Sequence, residues 1–496
     1  MRFRNTAILA VIVAALGAYL YFVERPAVER EAEKKTLLDF EPDQAVGIVL
    51  EYPDRSIELA KVEGVWKIKT PRELDADASA VQNLLKAAAE AEEKRVAEEN
   101  PSDVSKFGLS PPAATIRVEL EGGKKLPALV VGGSTPIGFN AYVRRGDEPA
   151  VLLTAGTFQA GVKKSLEDLR DKTILRFDDA DVRTVRLVPA SGTPTAFQRD
   201  GESWKITEPI QAVADGNAVK SVLASLRSMR ARGFDDPTGA DETPTDNAAA
   251  EAPASPADRG FSPPRLKVEV GFEKGDPQLL ELGGEKAGEG EKLLYVRVPG
   301  KETIYEVGSH VQTSIDKSAD DLRDKTVLAL DESKVAAIDV ARSDGEGFTL
   351  ERDGEGWKVA GATEPLRESV ASRFVEDIVL VKGANIASET GDRAAYGLDA
   401  APFKIVVRSA DGVLGDLRFA RKDDHFYVAS EGTPLVFEIQ DYVYRRFDKR
   451  RSDLVDDGTE PAPADGALQD LGAPVEFDTE GLHLREGGAE PPPGSP

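Results

Sequence analysis

The chain has 496 residues, 41% hydrophobic and 30% charged, a balance that fits about three ordinary domains and excludes a wholly disordered protein. Its formal net charge of −25 argues against a nucleic-acid surface, which needs clustered Lys and Arg to neutralise phosphate. The lack of any cysteine excludes disulfides, thiolate nucleophiles, zinc–thiolate sites and an acylated cysteine together.

The first predicted element is apolar. Asn5 to Val23 carries no charge over nineteen residues. At about 1.5 Å per residue a helix of that length spans roughly 28 Å, close to a hydrocarbon core. Arg2 and Arg4 precede it, and Tyr19, Tyr21 and Phe22 sit at its far end, where aromatic side chains favour the interface. The expectation is a transmembrane anchor over 5–23 with the short N-terminus inside, placing the rest outside a bacterial cytoplasmic membrane, in the periplasm. A cleaved signal peptide is the alternative, but the bulky Leu20–Val23 run followed by Glu-Arg-Pro suits a signal peptidase poorly. Residues 24–36, mostly charged, read as a juxtamembrane stalk.

Beyond the stalk the sequence repeats itself. All three tryptophans share a context: Trp66 in VWKI, Trp204 in SWKI and Trp357 in GWKV, each followed by a proline, Pro71, Pro209 or Pro365. After each Trp comes a glycine motif, FGLSPP at Gly108, GFSPP at Gly260 and YGLDAAP at Gly397. Tyrosine strands follow, AYVRR at Tyr142, LYVRV at Tyr295 and FYVAS at Tyr427. EDLRDKTIL (Glu167 to Leu175) and DDLRDKTVL (Asp320 to Leu328) close the first two copies, and a looser RRFDKRRSDLVD (Arg445 to Asp456) closes the third. These marks set module limits at 37–176, 177–329 and 330–456.

Within one module, VGIVLEY and SIELAKV read as short strands ahead of the Trp strand. Asp77 and Asp215, each eleven residues after its Trp, are placed to cap helices. Val81, Leu84, Leu85 and Ala88 then form one apolar helix face, as do Val219, Val222, Leu223 and Leu226. In the third copy Val370, Phe374, Ile378 and Val381 are expected to do the same in shifted register. TIRVEL, PALVV, AYVRR and AVLLT read as a strand meander, with a small helix before the closing segment. The expected fold is α+β: three tandem repeats of a small mixed-sheet module with one main helix, behind an N-terminal transmembrane helix. Asp235 to Asp258, with seven acids and no aliphatic larger than Ala, is expected to be a disordered insertion, and 457–496 a similar tail.

The ordered set W-K-I, then F/Y-G-L-x-x-P, then Gly132-Gly133, then Tyr142-Val143, resembles the bacterial family catalogued as domain of unknown function 4340. The resemblance extends over 37–456, best in the first module and weaker in the third, which lacks an evident Gly-Gly pair. It implies one N-terminal anchor and a place beside ABC-type transport systems of the gliding-motility class. Its motifs are turns and core positions, so it carries over no functional residues.

Candidate chemistry is thin. Ser309, His310, Asp316 and Asp320 compose a Ser/His/Asp set on paper, without a G-x-S-x-G elbow and without a His at that place in the other copies. His425 and His483 read as exposed polar residues. GGSTPIG (Gly132 to Gly138) and GGEKAGEGEK (Gly283 to Lys292) lack a helix N-terminus to hold phosphate and read as hairpin turns. Asp178, Asp179 and Asp181 do not follow the spacing of a calcium loop. The tryptophans could stack on sugars if exposed, but their aliphatic neighbours point to core packing. The basic run Tyr444 to Arg451 could meet anionic lipid or a partner's carboxylates, or simply pair locally. No catalytic, cofactor or metal site is expected, and the protein is not expected to be an enzyme. The functional expectation is an extracytoplasmic accessory or scaffold, held in the membrane through Asn5–Val23 and bound to an envelope protein. The alternatives are an enzyme acting on an envelope polymer and a glycan-binding module.

Overall fold

The computed structural model describes residues 35–235, 259–286 and 290–456. The expected anchor, most of the stalk, the insertion beyond Asp235 and the tail lie outside them. Among the described residues no helix is long and apolar enough to cross a membrane. The chain divides into two compact units, 1–324 and 325–496.

The first unit holds two sheets. From edge to edge, the first runs Leu74–Asp75, Val65–Thr70, Ser56–Val62, Ala45–Glu51, Ala114–Leu120, Leu129–Ser134, Asn140–Arg145, Val151–Ala155 and Arg95–Glu98. The second runs Ala212–Val213, Ser203–Glu208, Thr195–Asp200, Val182–Pro189, Leu266–Phe272, Gln278–Glu285, Leu293–Arg297, Ile304–Gly308 and Gly233–Phe234. The second unit's main sheet has the same order without the two-residue edge: Gly356–Val359, Phe348–Asp353, Ala337–Arg342, Phe403–Arg408, Val413–Lys422, His425–Ala429, Val436–Ile439 and Asn385–Ser388. In the first two, the strand that follows the main helix crosses to the far edge and pairs with the last strand of the meander; in the third, Leu380–Lys382 follows the helix and pairs with Thr326–Ala329, and the next strand, Asn385–Ser388, takes that edge.

Every pairing in these ladders is antiparallel, which corrects the expected mixed sheet. The reason is connectivity. Hairpins join most neighbours, and the helical crossover delivers its strand to an edge where the only neighbour runs the other way.

The main helices of the first two sheets form where apolar spacing and a cap coincide, whereas the third has no side-chain cap. Asp77 accepts from the Ser79 and Ala80 amides at the head of Ala78–Ala89, and Asp215 does the same for Asn217 and Ala218 at the head of Gly216–Ser228. Val81, Leu84, Leu85 and Ala88 are buried on one helix, and Val219, Val222, Leu223 and Leu226 on the other. The third helix, Glu368–Val379, buries Ala371, Phe374, Val375 and Ile378. Val370 is only partly covered, and Val381 lies on the strand Leu380–Lys382, so the expected face is corrected by one position at the start and one turn at the end.

One contact recurs that the closing motifs obscure. Lys35 and Leu37 bond the backbone of Glu93 and Ala91 just after the first helix, both at 2.7 Å, and Leu37 and Leu38 sit in the first core. Lys172 likewise bonds Ala231 at 2.8 Å, with Ile174 and Leu175 in the second core. Lys325 bonds Gly383 at 2.8 Å, with Val327 and Leu328 in the third. Lys-Thr-x-Leu therefore begins a packed body, while the preceding Leu166 and Leu169 complete the first core, and Ala319 and Leu322 the second. Lys325 opens the second unit, ahead of the sequence-based limit at 330.

Candidate functional site

The repeated positions are packing positions. Trp66 and Trp204 are buried, and Phe197 meets the Trp204 ring edge-on at 5.8 Å. Trp357 is half-buried at the rim of its core. Cross-strand arginines cover two of the rings, Arg199 at 4.6 Å from Trp204 and Arg352 at 4.4 Å from Trp357. None is laid out as a sugar platform.

Gly108, Gly260 and Gly397 all adopt left-handed backbone, φ 67°, 73° and 73°. The expected hairpins are present, joining Gln278–Glu285 to Leu293–Arg297 and Leu129–Ser134 to Asn140–Arg145, but the glycine pairs themselves lie near the ends of the incoming strands, Gly283 and Gly284 in Gln278–Glu285 and Gly132 and Gly133 in Leu129–Ser134. The turn of the Gly108 motif lies directly on that strand. A Cβ on Gly132 would stand 2.4 Å from the Phe107 carbonyl, and one on Gly283 would stand 2.5 Å from that of Arg259. The glycines are there for close approach of two backbones. In the third sheet Ala420 faces Gly397, and the approach is looser.

Tyr142 meets Phe107 edge-on at 4.9 Å, and Tyr427 meets Tyr396 in the same way at 4.9 Å. In the second sheet Arg259 stands where Phe107 and Tyr396 stand in the others. It pairs with Asp235, while Lys286 bonds Glu306 at 2.6 Å. Burial, with the charges of Asp235 and Glu306, raises the Tyr295 phenol above its ordinary value. Sequence reading missed this ion group because its members come from four separate segments.

The paper triad does not assemble. His310 begins the helix His310–Ile315 with its ring exposed, and among the described residues it makes no side-chain bond to Ser309, Asp316 or Asp320. His425 Nδ1 lies 2.6 Å from Glu438, and that bond, together with the Asn385 amide, holds the Glu438 carboxyl low against the effect of burial. His483 is outside the described residues. Asp178 accepts from the Ala180 amide in a turn, and Asp179 faces Arg227 at 3.6 Å. Among the described residues no cluster of three or more His, Asp or Glu could hold a metal ion. The basic run pairs locally: Arg445 with Asp441 at 2.6 Å, Arg446 with Asp377 at 3.4 Å, Arg450 with Asp344 at 3.0 Å and Arg451 with Glu364 at 2.8 Å.

What the structure adds is a cleft of about 1150 Å³ in the first unit. One wall is the edge of the first sheet, with Lys67, Lys69, Arg72, Glu73 and Asp75. The floor is the connecting segment, with Arg170, Asp171 and Arg176. The other wall belongs to the second sheet and includes Phe234, Lys301, Glu302 and Tyr305. Six basic side chains face four acidic ones, the reverse of the whole chain's balance. Lys67 pairs with Asp75, Lys69 with Glu73 and Arg176 with Asp171. Buried Arg170 stacks on Phe234 with 3.6 Å to the ring centroid, tying the two sheets together. The cleft lining is a mixed polar surface in which most of the charges are paired with one another. Its sequence signal was the shared LRDKT, which marks the floor.

Asp171 is the hub of that floor. Burial pushes its carboxyl up, but the Thr173 amide at 3.0 Å, the Thr173 hydroxyl and Arg176 outweigh it and hold the group below the ordinary carboxylate value. A depressed carboxylate contributes stability above its unfolded pKa, about 3.9, and loses it as pH falls through the lower folded value. Asp171→Asn should therefore cost about 1–2 kcal/mol at pH 7 and much less below pH 3. Denaturant unfolding of the two proteins across that range checks it; an equal cost at both ends would refute the ionic role.

A family model described as domain of unknown function (DUF4340) matches residues 66–250 and 204–401. No curated protein matches the chain. Among solved structures, a DnaN sliding clamp (DNA polymerase III subunit beta) from Pseudomonas aeruginosa bound to griselimycin matches at 9% identity. It covers 81% of this chain and 93% of that one with a TM-score of 0.11, too slight a likeness to bear on fold.

Proposed function

The chain belongs to the DUF4340 family, whose description assigns no activity, and on that premise we propose that it is a membrane-anchored extracytoplasmic accessory or scaffold protein, not an enzyme. In this reading three tandem copies of one module stand behind a single span over Asn5–Val23 in a bacterial inner membrane. The body binds another envelope protein, such as a component of an ABC-type transport assembly.

The observation that carries the reading is one strand order recurring in three sheets, the pattern of repeat proteins, which commonly serve in partner binding. The uncharged run with Arg2 and Arg4 before it supports the anchor. Each carboxylate displaced from its ordinary pKa among the described residues is displaced downward, as ion pairs and caps do, whereas a general acid needs the opposite shift.

Crosslinking in intact cells tests this, first with the natural anchor and then with an unrelated transmembrane helix in its place. The same partner should be captured both times. Its loss on swapping the anchor would contradict a body-borne interface. Turnover by the full chain, abolished by one carboxylate or His substitution that leaves it folded, would overturn the non-enzymatic reading.

A further inference from the structure

The connection between Leu129–Ser134 and Asn140–Arg145 in the first sheet presents Ile137 and Phe139 to solvent, 88% and 95% exposed. The chain carries no charge from Leu126 to Val143, although 30% of its residues are charged. The backbone beneath these side chains is pinned. Thr135 and Asn140 bond each other, the Thr135 hydroxyl donates to the Ile137 carbonyl at 2.7 Å, and the Gly156 amide donates to that of Phe139 at 2.8 Å. Phe139 is held at φ 50°, a conformation a bulky residue avoids and a glycine would take freely. A rigid loop that spends strain to display two large apolar side chains invites a functional explanation.

The tip's position says what it meets. Lys94 donates to the Asn140 side chain at 2.8 Å at the base of the loop, and its neighbour Glu93 pairs with Lys35 at 2.9 Å. The chain thus enters the first body beside this tip. Only residues 24–34 separate that entry from the uncharged Asn5–Val23 run, a reach of at most about 40 Å even when extended. The corresponding connections elsewhere are unlike it. In the second sheet it contains Lys286, Glu289, Glu291 and Lys292 with no aliphatic larger than Ala, and in the third it is Asp423-Asp424.

We infer that Ile137 and Phe139 dip into the lipid interface of the membrane that holds the anchor, as a second attachment that orients the first body on that surface. The inference rests on the anchored reading proposed above. An aromatic and an aliphatic side chain on an uncharged tip suit the headgroup–acyl boundary, and the missing acids spare the contact from repulsion by anionic lipid.

The absence of cysteine makes the test clean. Full-length chains carrying Ile137→Cys, Phe139→Cys or, as reference, Ser191→Cys in an exposed turn of the second sheet would be labelled with an environment-sensitive fluorophore. They would then be reconstituted in phosphatidylcholine vesicles with a minority of phosphatidylglycerol. Labels at 137 and 139 should brighten several-fold, shift to the blue and be quenched by headgroup-level nitroxide lipid, while the label at 191 stays aqueous. Chains that float with vesicles but keep wet labels at 137 and 139 would overturn this inference and leave the anchor standing. Labels dry in native membranes but wet in protein-free vesicles would assign the tip to a protein and also overturn it. Chains that fail to float would sink the anchored reading, and this inference with it.

Discussion

Replacing Trp204 with alanine should destabilise the first compact unit by about 3–5 kcal/mol, the range for emptying a buried aromatic site. The indole is 3% exposed, lies edge-on to Phe197 and is roofed by Arg199, so its removal leaves a hole that strand neighbours cannot close and strips the guanidinium of its cover. Trp357→Ala should cost clearly less, because that ring sits half-buried on a four-residue strand at the rim of its core. Urea unfolding of the full chain, followed by circular dichroism, measures both. Equal costs would mean that the two rings are equally enclosed in solution. If all three tryptophans were quenched freely by iodide, the core assignment would fail.

Gly260→Ala should be comparably severe, about 3 kcal/mol or more, although it adds a single methyl group. Left-handed backbone costs a non-glycine residue roughly 1–2 kcal/mol. The new Cβ would also lie 2.5 Å from the Gly284 nitrogen and 2.8 Å from its Cα, backbone atoms that cannot swing aside, and overpacking of that kind adds about 1–3 kcal/mol. Gly108→Ala should behave alike, since its Cβ would stand 2.7 Å from the Gly133 nitrogen. Gly397→Ala isolates the conformational part: the nearest atom is the Ala420 Cβ at 3.7 Å, and the cost should fall to about 1–2 kcal/mol. Matching losses at 260 and 397 would show that the close approach of turn and strand contributes nothing.

Much of this architecture is written in local patterns. The strands before each helix alternate, Asp77 and Asp215 sit where caps belong, and the helix faces of the first two copies can be read residue by residue. Short edge strands leave no such trace. Arg95–Glu98, Gly233–Phe234 and Asn385–Ser388 are too brief for period two to register, and their partners come from far along the chain. The hairpins that follow the glycine pairs were legible, but the second turn lying on those glycines was not, because only the Phe107 and Arg259 carbonyls, distant in sequence, reveal it. The cleft was invisible for the same reason. Its walls come from 62–75 and 277–305, and its floor, LRDKT, reads as an ending.

That reading as an ending hides an order of events. Each Lys-Thr-x-Leu segment is made before the sheet it plugs: Leu37 and Leu38 precede the first core, Ile174 and Leu175 the second, Val327 and Leu328 the third. A chain synthesised N-terminus first therefore already holds the opening Lys-Thr-x-Leu segment of each body when that body's last strand arrives. What each body still awaits is only the short helical stretch after its last strand, with Leu166 and Leu169 completing the first core, Ala319 and Leu322 the second, and Phe447 and Leu454 the third, which shortens the time a half-made chain leaves a core open. The same polarity makes the damage from a cut asymmetric. Severing just before Lys172 or Lys325 leaves the bodies on both sides with their seals, whereas severing just after Leu175 or Leu328 unplugs the body that follows and spares the one before.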